Sequence, residues 1–304
     1  FPGQGSQRPG MAADLYEADQ TSAAMIRNAC QQVAKIGGPD DLFELLTVPD
    51  ESAATSSRMA RTEIAQPALF IYEYALASWL IENGISPDAL AGHSIGEYVA
   101  ACIGGVVSFD DALRLVVMRG RLMGQTEPGS MFALSMTEAE VGDLLAAFGP
   151  DLSMAAINGP RQCVVAGSND CIDALEQHIK SQGKSGRRLG VSHAFHSRMM
   201  EPVLDEFRNV VAKIRLNAPT VPIQSNLTGN WLTPEDATNP DYWVQHLRNA
   251  VRFADNIKGL LAGIPETIMV ECGFGNTASR LAIVNGTPTG NSIALQPAPG
   301  PDTA

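Results

Sequence analysis

The stretch Gly92-His93-Ser94-Ile95-Gly96-Glu97 constrains this chain more than any other. It reads Gly-x-Ser-x-Gly, preceded by apolar Ala89-Leu90-Ala91 and followed by apolar Tyr98-Val99-Ala100-Ala101-Cys102-Ile103. A short strand, a sharp turn and a helix form the setting that a nucleophile elbow requires, with a serine held in a strained backbone conformation. Glycines on either side suit a turn where neighbouring chain leaves no room for side chains. A helix starting at Ile95 directs its free N–H groups back toward the serine, where an oxyanion would develop. The same short pattern also arises by chance as a plain structural turn, so a nucleophilic Ser94 needs a base and a substrate site elsewhere in the chain.

The base has one obvious source, His193-Ala194-Phe195-His196-Ser197. Two histidines three apart resemble metal ligands on a helix, but no third ligand of suitable spacing accompanies them. One of the two is the natural general base, because a serine hydroxyl must lose its proton as it attacks. The other histidines are weaker candidates: His178 on the surface of a helix, His246 in a helix near Trp243, and His93 packing or hydrogen-bonding locally. The substrate site is signalled by Arg119. Its neighbours at helical spacing, Leu115, Val116, Leu122 and Met123, are all apolar. A guanidinium bedded among apolar side chains needs an anion from elsewhere, either a distant Asp or Glu or a substrate carboxylate.

The remaining sequence bounds the class of molecule. At 304 residues, one large domain or two unequal ones fit. With 33 acidic against 21 basic residues the net charge is −12, which argues against nucleic acid as the main partner. Five scattered cysteines (Cys30, Cys102, Cys163, Cys171, Cys272) without a C-x-x-C spacing suit free thiols in a reducing, cytoplasmic setting. No membrane association is expected: the longest apolar run, 68–81, is interrupted by Glu73, and no signal peptide is visible. The chain opens on Phe1 without a starting Met and is expected to be cut from something larger.

Taken in order, helices are expected over 11–36 and 40–46, then a loop or short surface helix over 50–61. A long apolar helix is expected from Gln66-Pro67 to about Ile81, with Pro67 in its first turn and Asn83-Gly84 as its stop. Ser108 caps a helix over 110–124. Residues 125–197 then change character: strand 131–136, helix 138–148, strands 152–157 and 162–166, helix 170–181 and strand 187–191. That β-α-β-β-α-β order is the ferredoxin-like arrangement, an inserted subdomain, and His193–Ser197 falls where the insert returns to the body. Helix 198–213, strand 221–225, a helix opening at Tyr242-Trp243, helix 254–262 and strand 267–271 complete the body, expected to comprise 1–124 and 198–285. The Pro-, Gly- and Thr-rich segment 286–304 reads as a linker remnant.

Six motifs in fixed order make the chain resemble the malonyl-CoA:acyl-carrier-protein transacylase family, and most of all the acyltransferase domains of modular type I polyketide synthases. They are FPGQGSQ at residues 1–7, AQPAL at 65–69, GHSIGE at 92–97, MRGRLM at 118–123, SHAFHS at 192–197 and DYWVQHLRNAVRF at 241–253. The resemblance implies an α/β fold, an α/β-hydrolase-like body with a ferredoxin-like small subdomain. It implies Ser94 as nucleophile, His196 as general base, and the backbone N–H groups of Gln4 and Ile95 as the oxyanion hole. Arg119 matches the arginine that pairs with the malonyl carboxylate, while Gln66, His93, Asn158, His193 and Phe195 match positions around the acyl pocket. The base is expected to be oriented by a backbone carbonyl near Val251 or Arg252, and the HAFH sequence with branched Ile95 resembles the malonyl-selecting version of the family. No bound cofactor is implied. Malonyl-CoA is the expected substrate, with a phosphopantetheinylated acyl carrier protein and adjacent synthase domains as partners. The Cys272-Gly273-Phe274-Gly275-Asn276 stretch departs from the family's usual Gly-Pro-Gly turn. A serine esterase or thioesterase built on the same elbow is the competing reading.

Overall fold

The computed structural model describes residues 1–264 and 266–294. Four helices open the chain, α1 (Ala13–Ala18), α2 (Gln20–Lys35), α3 (Leu42–Thr47) and α4 (Ala53–Met59). The second, third and fourth of them pack against the long helix α5 (Thr62–Glu82). That helix begins earlier than its apolar run, because Thr62 and Glu63 supply a polar first turn. Pro67 therefore sits inside α5 and not in its first turn, at the cost of the N–H that would bond one turn back. Although long and apolar enough to span a membrane by composition, α5 is the core helix, with 78% of its apolar window buried in the protein.

The elbow follows: β1 (Leu90–Ala91), α6 (Ile95–Ile103) and α7 (Phe109–Gly124), the last capped by Ser108. The next segment forms β2 (Gly129–Leu134), α8 (Glu138–Phe148), β3 (Leu152–Gly159), β4 (Gln162–Ser168), α9 (Asn169–Ser181) and β5 (Gly186–Arg188). A capping box between Thr137 and Glu140 starts α8 where the sequence expects it. The four strands make one antiparallel sheet in the order β3-β4-β2-β5. Alternation decides what each face covers. Phe132, Leu134, Cys163 and Val165 pack with α8 and α9 in one core, whereas Met131, Val164 and Ala166 join the larger core of the body.

The chain re-enters the body through a 3-10 turn (Arg198–Val203), α10 (Leu204–Val211), β6 (Ile223–Gln224), α11 (Pro234–Thr238), α12 (Pro240–Arg248) and α13 (Phe253–Gly263). It ends on β7 (Met269–Glu271), α14 (Thr277–Val284) and β8 (Ser292–Ala294). Helix 198–213 is thus split, because Pro202 cannot serve a continuous α-helical ladder. In the body, β1 pairs in parallel with β6, and β7 with β8. Phe1 flanks the other edge of β1, its amine donating to Ala91 O and its carbonyl accepting from His93 N–H, both at 2.9 Å. The expected linker after Gly286 differs: Ser292–Ala294 pairs with β7, and 295–304 lie outside the described residues. The five thiols are free, four of them buried.

Candidate active site

Ser94 occupies the turn between β1 and α6 at φ 53°, ψ −109°, in the left-handed half of backbone space. The flanking glycines are sterically required. A Cβ on Gly92 would lie 2.0 Å from the carbonyl carbon of Gly96, and one on Gly96 would lie 2.5 Å from Phe1 O. This packing drives the chain through the turn and presents the serine side chain on its outside.

A histidine reaches it from the segment between β5 and the 3-10 turn. His196, also at positive φ (56°), accepts the Ser94 hydroxyl at Nε2 across 2.7 Å and donates from Nδ1 to the carbonyl of Asn249 at 2.9 Å. The acceptor is therefore Asn249 and not Val251 or Arg252. Val251 spends its backbone pairing with β3: its carbonyl accepts from Ile157 N–H and its N–H donates to Ala155 O. Asn249, just past the end of α12, lies where a helix leaves its carbonyls without internal partners. His196 is buried, and burial, the Arg119 charge and the neighbouring histidines hold its pKa well below the ordinary histidine value. It is a neutral imidazole with a free lone pair aimed at the serine, which is what a base needs.

Arg119 projects from α7 to the same point and is only 1% exposed. Its guanidinium donates to Gln66 Oε1 at 2.6 Å and to Ser94 Oγ at 3.2 Å, and lies 5.3 Å over the ring of Tyr98. Its Nε has no hydrogen-bond partner among the described residues, and no carboxylate among them forms a salt bridge with it. Gln66 in turn donates to Thr62 Oγ1 at 2.8 Å, and Thr62 donates to Gln4 Oε1 at 3.0 Å. A hydrogen-bonded chain thus links the arginine to the glycine-rich loop at the start of the sequence. Within that loop Gly5 N–H is taken by Gln7 Oε1, while the N–H groups of Gln4 and Ile95 have no protein acceptor among the described residues.

Gln4, Ser94, Ile95, Arg119 and His196 line a cavity of about 580 Å³, together with His93, Met123, Asn158 and Phe195. His93 does not bond locally: its Nε2 meets Asn158 Oδ1 on β3 at 2.9 Å, so it ties the elbow to the insert. Burial lowers its pKa and keeps it neutral. Gln66 stands behind Arg119 and outside the cavity wall. His193 also lies off the wall, half-buried, bonded to Ser192 Oγ at 2.8 Å and stacked on Phe195.

A serine bonded to a neutral histidine, two backbone N–H groups without a protein acceptor among the described residues and a buried guanidinium without a salt bridge among them together suit acyl transfer. Comparison with known sequences gives the same class: the family described as the acyl transferase domain matches residues 1–277. The chain belongs to that family. It is 39% identical over 283 residues to polyketide synthase GfsB of Streptomyces halstedii, covering 92% of this chain but only 5% of that protein. Among solved structures, the acyltransferase domain from the second module of the salinomycin polyketide synthase is 41% identical with a TM-score of 0.87, covering 97% of this chain and 67% of that one. FabD from Acinetobacter baumannii is 28% identical with a TM-score of 0.84, covering 97% of this chain and 92% of that one.

Behind the elbow, this acyl transferase domain holds a polar network that sequence reasoning missed. Glu97, fully buried, accepts from Tyr242 Oη and from the backbone N–H of Asn226, and His246 Nε2 approaches it at 3.3 Å. The argument that singled out Arg119, a charge amid apolar neighbours, applies equally to Glu97 beside Tyr98-Val99-Ala100. Asn249 carried no such signal, because its contribution is a carbonyl.

Proposed function

We propose that this domain transfers a malonyl group from coenzyme A to the phosphopantetheine thiol of an acyl carrier protein, through a malonyl ester of Ser94, within a polyketide synthase. Ser94 loses its proton to His196 as it attacks the thioester carbonyl, and the tetrahedral oxyanion is held by the Gln4 and Ile95 N–H groups. His196 returns the proton to the departing coenzyme A sulfur, and the carrier thiol repeats the sequence in the opposite sense. No bound cofactor takes part. We read the architecture as an α/β-hydrolase-like body (1–124 and 198–285) carrying a ferredoxin-like insert (125–197) whose return delivers the base, and we assign the domain to the cytoplasm.

One observation carries the choice of malonyl: the buried guanidinium of Arg119 lies 3.2 Å from Ser94 Oγ and forms no salt bridge with a carboxylate among the described residues. A malonyl group sets its free carboxylate one methylene from the reacting carbonyl, within reach of that guanidinium and able to bind it bidentately. A neutral acyl group leaves the charge unpaired. Arg119→Ala is expected to lower kcat/KM for malonyl-CoA relative to acetyl-CoA on the order of 10²–10³-fold, the kinetic equivalent of breaking a buried charge pair. An unchanged ratio would remove Arg119 from substrate recognition. Against hydrolysis, carrier-bound product should exceed free malonate when a carrier protein is supplied; carrier-independent malonate release as the main flux would favour the esterase reading.

A further inference from the structure

Where β1 ends, its ladder with β6 continues by other means. The register pairs Leu90 with Ile223 and Ala91 with Gln224, which carries forward to His93 opposite Asn226. At that rung the side-chain amide of Asn226 takes the place of its backbone. Nδ2 donates to Gly92 O at 2.6 Å, and Oδ1 accepts from Ser94 N–H at 2.6 Å. These are the groups on either side of His93 that a parallel neighbour would engage. The backbone N–H of Asn226, released from the ladder, donates to Glu97 at 2.7 Å. Asn226 is 1% exposed and absent from the cavity wall, so it acts on the reaction only through the elbow it holds.

We infer that Asn226 is a positioning residue for the nucleophile: its amide clasps the elbow and holds Ser94 at φ 53° with its N–H turned away from the reacting carbonyl. A serine at positive φ persists only where its surroundings over-determine it. The clasp fixes the peptides on both sides of His93. It therefore sets the direction of the Ser94 side chain toward His196 Nε2 and the tilt of the Ile95 N–H that follows. With the clasp cut, those peptides relax toward ordinary backbone geometry, and the dyad and the oxyanion donor fall out of alignment together.

The inference rests on Ser94 being the nucleophile, and its test separates the two. Asn226→Ala removes both bonds, whereas Asn226→Asp keeps an acceptor for Ser94 N–H and loses the donor to Gly92. Diisopropyl fluorophosphate is the probe: Ser94 Oγ bonds to phosphorus, fluoride leaves, and His196 takes the proton, with no demand on Arg119. Labelling of Asn226→Ala per folded molecule is expected to slow by about 100-fold, as for a small misplacement of a reacting group. Asn226→Asp should fall between it and the parent, and the KM for malonyl-CoA should stay within about twofold in both. Labelling of Asn226→Ala within about threefold of the parent, or a deficit matching its loss of folded protein, would overturn the inference. If Asn226→Ala does not fold, Asn226→Asp is judged by the same threshold. Equal labelling of the parent and Ser94→Ala would overturn the nucleophile and the clasp with it.

Discussion

Among the described residues, Ser94 and His196 are the non-glycine positions in the left-handed region, and they are hydrogen-bonded to each other. Backbone strain is thus concentrated on the pair proposed to react, where packing around the elbow glycines sustains it. The depressed pKa of His196 fixes a pH dependence. A base that stays neutral below the ordinary histidine value of 6.5 keeps accepting the serine proton on acidification. The acid limb of kcat/KM for malonyl-CoA should therefore fall clearly below pH 6.5, as a rate profile would report. A limb at or above 6.5 would mean that the cavity does not exclude water from the imidazole. Residue-scale chemistry was legible where a side chain stood out against its neighbours. Ser94 between glycines and Arg119 among leucines and methionines did so. Asn249 did not, since a peptide carbonyl leaves no mark on residue type, and Asn226 did not, since its partners are backbone atoms far off in sequence.

At the scale of elements, α5 carries a conflict that the sequence announced as an interruption. Glu73 is fully buried within it, both carboxyl oxygens lack a hydrogen-bond partner among the described residues, and burial raises its pKa well above 4.5, with Glu271 adding to the shift. Above the unfolded value the unfolded chain releases this proton and the folded one keeps it, so stability falls as pH rises from about 4.5 toward the folded pKa. Glu73→Gln, neutral at every pH, should melt at the parent's temperature near pH 4. It should gain at least ~2 °C at pH 7, the shift that about 1 kcal/mol makes in a chain of this size. Equal melting temperatures at both pH values would show Glu73 to be solvated. Elements with a strong local signature, the capping box of α8 and the Ser108 cap of α7, appear where expected. The short strands β1 and β6 do not advertise their length, because their pairing is decided by each other and by Phe1.

At the scale of the molecule, β3 on the cavity wall is tied to distant parts of the chain at several points. Asn158 of β3 takes His93 on its side chain and Asn285 on its carbonyl, while Ala155 and Ile157 pair with Val251. Asn158→Ala removes only the bond to His93. It should cost about 1 kcal/mol of stability and raise hydrogen exchange over 152–159 and around His93, without unfolding the insert. Exchange unchanged at both places would mean that the backbone pairing alone fixes the cleft. The β-α-β-β-α-β order of the insert was legible from alternation and caps. Which of its edges faces the serine was not, because that depends on the pairing of Val251, nearly a hundred residues further along the chain.

The imidazole of His196 leans on a peptide dipole and not on an anion. Once protonated it has no salt-bridge partner among the described residues, and it is the Asn249 carbonyl that steadies the charge. On the proposed mechanism an acyl group on Ser94 waits for a thiol to be brought to it, and the half-life of that ester would set how long a slow-moving carrier has to arrive.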